Sequence, residues 1–243
     1  MSFIKKQRIT YNTQVLREVE YEFKELYMQM NQLLTSLCEI SYTTPVNEST
    51  FQKIKADLEF EDSIHNMVYL NGFNNFCEGI LFYNNDDEIH YIGTGPVAKG
   101  YQFSTDEWFS KISAEMGSCT VIGPMPEQYK PEHVQKSSVV GFSKRKFGKQ
   151  KEGSLPPFAM VAVEFNKIQE MLDKRLSTNT GFFLMNEDGT ILDSSNLSKL
   201  NWSDETLEHT KAKILKDQEH TQTVSKDEIL LTSIRLNKYG WIL

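Results

Sequence analysis

One pattern occurs twice in this chain of 243 residues, and that repetition constrains its fold more than any other feature. Gly79-Ile80-Leu81-Phe82-Tyr83-Asn84-Asn85-Asp86-Asp87-Glu88-Ile89 reads as strand, polar turn, strand, and Gly181-Phe182-Phe183-Leu184-Met185-Asn186-Glu187-Asp188-Gly189-Thr190-Ile191 repeats it. Gly, Asn, Asp and Ile coincide in place, and the four strand positions between Gly and Asn are apolar in both copies. Asp188-Gly189 is a hairpin turn signal, because tight hairpin turns need residues that tolerate positive φ. After the first hairpin, Ser104-Thr105-Asp106-Glu107 has the spacing of a capping box and opens a helix through Trp108, Phe109 and Ile112. After the second, Trp202-Ser203-Asp204-Glu205 opens a helix through Leu207, Ile214 and Leu215. Strands then follow over 120–122, 138–147 and 158–165 in the first copy, and over 222–224, 229–236 and 241–243 in the second. A tandem repeat of one α+β unit is expected, with two separate antiparallel sheets joined by a helix over 166–176.

Ahead of the repeats stands a long helix. Leu16, Val19, Phe23, Leu26, Met30, Leu33 and Leu37 follow one another at alternating spacings of three and four, which is a heptad seam about 30 Å long. Glu18, Glu20, Glu22, Lys24 and Glu25 take the other faces. Such a seam serves either a helix laid along its own domain or a dimer-forming stalk, and the two are compatible. Thr43-Thr44-Pro45 breaks the helix, since the residue before proline disfavours helical dihedrals. A short second helix follows, with Asn47 as its cap and Phe51, Ile54 and Leu58 on one face.

Composition narrows the partners. Hydrophobic residues are 39% and charged residues 24%, enough apolar material for a packed core. Lys plus Arg is 26 against 33 Asp plus Glu, a net charge of -7, which argues against a nucleic-acid partner. No run approaches the roughly 18 apolar residues of a membrane span, and residues 1–8 lack the apolar stretch of a signal peptide. Cys38, Cys77 and Cys119 are too few and too scattered for a disulfide framework; one bridge stays open, and the compartment is not fixed.

Catalytic signatures are absent. There is no Gly-x-Ser-x-Gly elbow, no phosphate loop and no dinucleotide fingerprint; Gly93-Thr94-Gly95-Pro96 loses an amide donor at Pro96. The five histidines never pair at the spacing of a helical zinc site, so no metal ligand, cofactor or catalytic residue is assigned. The basic run over 144–151 reads as a solvated loop tip. What remains is an aromatic and acidic concentration in the first repeat: Tyr91, Tyr101, Phe103, Asp106, Glu107, Trp108, Phe109 and Tyr129, with Glu164 at the closing strand. Aromatic walls with a few charged groups suit a small-molecule pocket, and rings of the same kind also fill cores.

The order of these motifs resembles the double Cache sensor domain, a long N-terminal helix followed by two PAS-like modules. Asp106-Glu107-Trp108-Phe109 is similar to the family's aromatic pair that opens the first module's helix, and Thr120-Val121-Ile122-Gly123-Pro124 to the strand after it. Val161-Ala162-Val163-Glu164-Phe165 resembles the strand that closes the first module, and the hairpin over 182–191 resembles the opening of the second. Tyr239-Gly240-Trp241-Ile242 resembles the last strand, ahead of a membrane helix.

The resemblance implies an α+β fold with a stalk helix over 1–41, a membrane-distal PAS-like module over 42–165, and a connecting helix with a membrane-proximal module over 166–243. It implies the extracytoplasmic part of a bacterial receptor at the cell membrane, in the first place a two-component histidine kinase, with membrane helices flanking this chain. Chemoreceptors and cyclic-dinucleotide signalling enzymes carry such sensors too, and a free-standing tandem PAS-like binding or scaffold protein is the alternative. The fragment is then a sensor and not itself an enzyme, with a small molecule bound in the distal module by Tyr91, Tyr101, Asp106, Trp108, Phe109, Tyr129 and Glu164. A homodimer through the N-terminal helix belongs to the same expectation. One departure matters: amino-acid-binding members place Arg two residues before the Trp to hold the ligand carboxylate, and an Asp at the close of the module. Here those positions hold Asp106 and Glu164, so the carboxylate anchor is missing.

Overall fold

The heptad positions lie on one helix, α1 (Phe3–Glu39), of a computed structural model. It describes residues 3–40, 49–70, 72–73, 76–83, 89–93, 95–99, 101, 103–112, 117–146, 157–175, 181–195, 203–216, 221–226 and 229–243. All seven seam residues from Leu16 to Leu37 are buried. The chain divides into two units, Met28–Lys167 and Met1–Tyr27 with Ile168–Leu243, so each unit takes part of α1.

The Met28–Lys167 unit holds α2 (Thr50–Leu70) and a five-stranded sheet of β1 (Cys77–Tyr83), β2 (Ile89–Gly93), β3 (Cys119–Pro126), β4 (Ser138–Arg145) and β5 (Phe158–Glu164). Its order is β2-β1-β5-β4-β3, and every pairing is antiparallel. Side chains alternate between faces along each strand. One face turns to the helices: Phe82 meets Phe60 of α2 edge-on, ring centroids 5.4 Å apart, and Lys144 reaches α1. The Lys144 ammonium donates to Thr35 Oγ1 at 2.8 Å and to Asn31 Oδ1 at 3.3 Å, and the Lys146 ammonium donates to the Ile40 carbonyl at 2.9 Å. These two lysines therefore anchor the last turns of α1 rather than tipping a solvated loop; the rest of that basic run lies outside the described residues.

Two helix expectations are corrected. The second helix is 21 residues long, not short, and Ser49 caps it: Ser49 Oγ accepts the Gln52 N–H at 3.4 Å while Gln52 Oε1 accepts the Ser49 N–H at 3.0 Å. Asn47 and the Thr43-Thr44-Pro45 break lie outside the described residues. Phe51, Ile54 and Leu58 do share a face, but it is exposed, Phe51 at 75%; Phe60 and Ile64 are the ones buried. The expected capping box at Ser104 is also absent. A single 3-10 turn (Phe103–Thr105) precedes α3 (Glu107–Ser110), whose cap position is Asp106, and its carboxylate makes no cap bond.

The second unit repeats the plan. After α4 (Phe165–Arg175) come β6 (Phe182–Asn186), β7 (Ile191–Ser195), α5 (Asp204–Lys216), β8 (Thr221–Lys226), β9 (Ile229–Leu236) and β10 (Trp241–Ile242). The strand order β7-β6-β10-β9-β8 matches the first sheet position for position. Gly189 takes φ +87°, as the Asp188-Gly189 turn requires. Ser203 Oγ accepts the Thr206 N–H at 3.2 Å and caps α5. One face of the sheet packs on Ile214 of α5 through Phe183, Met185 and Ile242. Phe23 of α1 meets Tyr239 and Trp241 edge-on, at 4.9 and 6.0 Å between centroids, and the Tyr239 hydroxyl donates to the Phe23 carbonyl at 2.8 Å.

Candidate functional site

The face of the first sheet turned away from α1 carries the aromatic concentration. Its rungs follow from strand register. Tyr91, Leu81, Met160, Ser143 and Thr120 form one rung; Gly93, Gly79, Ala162, Gly141 and Ile122 form the next. The second rung is nearly bare, four neighbouring residues offering at most a methyl group. Leu81, Tyr83, Ile122, Phe158 and Met160 from the sheet pack with Phe103, Trp108 and Tyr129 from the segments above it, and Tyr91, Tyr101 and Phe109 lean on that cluster.

Asp106 is the polar centre of one side. Its Oδ2 accepts the Trp108 indole N–H at 2.9 Å and the Tyr101 hydroxyl, and the same indole N–H also reaches the Tyr101 oxygen at 3.3 Å. A carboxylate that leaves a helix terminus uncapped thus pins two rings of this cluster. Burial pushes the Tyr101 hydroxyl well above its ordinary pKa, and the Asp106 carboxylate beside it pushes it further.

A second polar centre was not legible as such. Glu127, 0% exposed, accepts the Tyr129 hydroxyl at 3.0 Å on Oε1 and the Ser137 N–H at 3.0 Å on Oε2. The Lys130 ammonium, on a residue only 4% exposed, sits 2.7 Å from Glu127 and 2.9 Å from Glu78. Burial alone would lower the Lys130 pKa; hydrogen bonds to Glu127 and then Glu78 outweigh it and leave the ammonium above its ordinary value. Tyr129 is raised by burial first and by Glu127 next. Tyr91 stacks obliquely on Tyr129 at 5.2 Å, and burial lifts its hydroxyl to about 12. Glu127 and Lys130 stand three residues apart in a proline-rich, loop-like stretch, a spacing that reads as surface charge; Tyr129 between them was the one available hint.

Of the seven residues expected at the site, Trp108 and Tyr129 are buried in the cluster, Tyr91, Tyr101 and Phe109 pack on it, and Asp106 bonds two of its members. Glu164 is half-buried at the end of β5, on the same face and opposite Val139. Two buried hydroxyl oxygens on this face, Tyr91 OH and Ser143 Oγ, have no hydrogen-bond partner among the described residues. Among the described residues no group of three His, Cys, Asp or Glu side chains converges as metal ligands would. Cys38, Cys77 and Cys119 are free thiols, and burial raises Cys38 to about 11 and Cys77 to about 12, so neither is poised as a nucleophile.

No family model matches the sequence, and no curated protein matches it. Solved structures do match by fold. The sensory domain of the Campylobacter jejuni chemoreceptor Tlp3, solved with isoleucine bound, is 12% identical; the match covers 98% of this chain and 91% of that one with a TM-score of 0.63. The extracellular domain of a protein designated histidine kinase vpHK1S-Z8 is 12% identical, covering 100% and 95% of the two chains at 0.65. The ligand binding domain of the Pseudomonas aeruginosa amino acid chemoreceptor PctB, in complex with L-Gln, is 11% identical over 94% and 84% at 0.54. The chain has the fold of these sensory domains: a double Cache fold, with a long N-terminal helix and two PAS-like α+β modules.

Proposed function

We propose that this chain is the extracytoplasmic sensor of a bacterial transmembrane receptor, in the first place a histidine kinase, and that the module over 42–165 binds a small molecule which does not depend on a carboxylate anchor. The module over 166–243 relays the signal. The observation that carries the ligand reading is Asp106, an acid hydrogen-bonded to Trp108 and Tyr101 where amino-acid binders of the resembling family carry Arg. A carboxylate ligand there meets like charge with little water between. An amine can pair with an acid such as Glu164, and a cation or a flat neutral molecule can stack on the rings.

Binding to the folded state raises its stability by about 2.7 kcal/mol at a hundredfold excess over Kd, so a thermal-shift panel reads it out. Amines, nucleobases and small neutral metabolites should raise the melting temperature more than α-amino acids or dicarboxylates. Glu164→Gln should weaken an amine ligand, and Trp108→Ala almost any ligand. Saturable binding of a simple carboxylate in this module, indifferent to Glu164→Gln, overturns the ligand reading. No helix among the described residues is long and apolar enough to cross a membrane, so the receptor reading requires membrane segments in the parent gene on both sides of this chain. A parent gene without them leaves a free-standing binding protein.

A further inference from the structure

The site face leaves a trough and then fills it with the chain's own side chains. The bare rung Gly93, Gly79, Ala162 and Gly141 crosses four strands, whereas the opposite face of β5 carries Val161 and Val163 in ordinary packing. The Tyr91 ring lies over the two outer glycines: a Cβ added at Gly79 or at Gly93 would fall 2.5 Å from its hydroxyl oxygen. That oxygen is buried without a partner among the described residues, an unmade bond that opposes the ring's position. Tyr91 packs on Tyr129, whose hydroxyl donates to Glu127, and the Lys130 ammonium sits between Glu127 and Glu78. Another ammonium could replace that of Lys130 with the same hydrogen bonds and the same charge, while an anion could not.

We propose that Tyr91 and Lys130 are internal stand-ins for the ligand, which is a flat ring carrying a short alkylammonium. Its ring displaces Tyr91 from the glycine trough, and its ammonium displaces that of Lys130 from Glu127. This rests on the reading of the module as a ligand sensor and deepens it by naming the ligand class and by giving its ammonium to Glu127 in place of Glu164, so for such a ligand Glu164→Gln should leave affinity unchanged. The displaced Tyr91 hydroxyl reaches solvent at the edge strand β2, and the released Lys130 unties its own segment from Glu127 and from Glu78 of β1. Binding therefore selects a second arrangement of the loops above the sheet, which a sensor needs.

Calorimetric titration of the full chain with phenethylamine tests this, with 3-phenylpropionate and benzyl alcohol as probes lacking the ammonium. A site open only a fraction of the time binds more weakly by that fraction, so removing the internal ring tightens binding. Tyr91→Ala should bind phenethylamine roughly tenfold tighter than the parent chain. Tyr91→Phe keeps the ring and removes its unpaired hydroxyl, so it should bind a few-fold weaker. Lys130→Gln should also tighten binding, and the Tyr91 pair stands as the test if that variant fails to fold. Equal binding of 3-phenylpropionate, or Tyr91 variants that shift affinity in the same direction or not at all, overturns the proposal. So does the absence of phenethylamine binding in all of these chains; a hit of another class in the thermal-shift panel then leaves the sensor reading standing.

Discussion

Lys130 and Glu127 are where single atoms decide most, because a charge held this deep is tolerable only while its partners are in place. Glu127→Leu strands the Lys130 ammonium with Glu78 alone and leaves the Tyr129 hydroxyl without its acceptor. It should cost about 3–5 kcal/mol in denaturant unfolding. Adding Lys130→Met should cost clearly less than the sum of the two changes, because the second removes the orphan that the first created. The tyrosines make a separate prediction. Tyr91, Tyr101 and Tyr129 all hold their protons more tightly in the folded chain than the ordinary value of about 10. A folded pKa raised above the unfolded one gives stability that is complete below the unfolded value and is lost as pH rises through the folded value. Unfolding free energy should therefore fall from about pH 10 upward, through about 12 for Tyr91. Absorbance titration should show these three phenols ionising only as the protein unfolds. Phenols that titrate near the ordinary value without loss of fold would contradict the packing described here.

At the scale of elements, periodicity was reliable and local chemistry less so. Strand alternation located every strand of the first sheet to within a few residues, because a buried sheet leaves its period in the sequence. The Ser104 capping box failed for a physical reason: with α3 only four residues long, Asp106 gains more from the indole of Trp108 and the Tyr101 hydroxyl than from a cap. The apolar face of α2 misled in another way, since Phe51, Ile54 and Leu58 have helical spacing whether or not anything covers them. Lys144 looked like a loop residue because its partners, Thr35 and Asn31, lie on α1, far away in sequence. The bare rung was invisible for the same reason: Gly79, Gly93, Gly141 and Ala162 become neighbours only through register. That rung can be checked element against element. Gly79→Ala drives a methyl into the Tyr91 ring and should destabilise the sheet edge by about 1–3 kcal/mol. In a Tyr91→Ala background the same change should cost almost nothing. An equal cost in both backgrounds would place the ring elsewhere.

For the whole molecule, the duplicated hairpin was the informative signal, and both sheets share one strand order because the same sequence plan was used twice. The seam of α1 left two uses open, and its burial separates them. Val19, Phe23, Met30, Leu33 and Leu37 are at most 1% exposed against the chain's own sheets and helices, so the seam has no apolar area left for a partner. The large apolar residues that α1 leaves exposed, Phe3, Ile4, Tyr11, Tyr21 and Met28, are dispersed along its 37 residues. A stable dimer interface buries roughly 1,200 Å² or more in one well-packed patch, and scattered side chains of this kind do not assemble one. The isolated chain should therefore sediment as a monomer of 28.1 kDa, or as a dimer that dissociates on dilution. Replacing Tyr21 and Met28 by Ser should leave that behaviour unchanged. A tight dimer at micromolar concentration, loosened by those two substitutions, would return the helix to the stalk reading and move the sensing argument to an assembly of two chains.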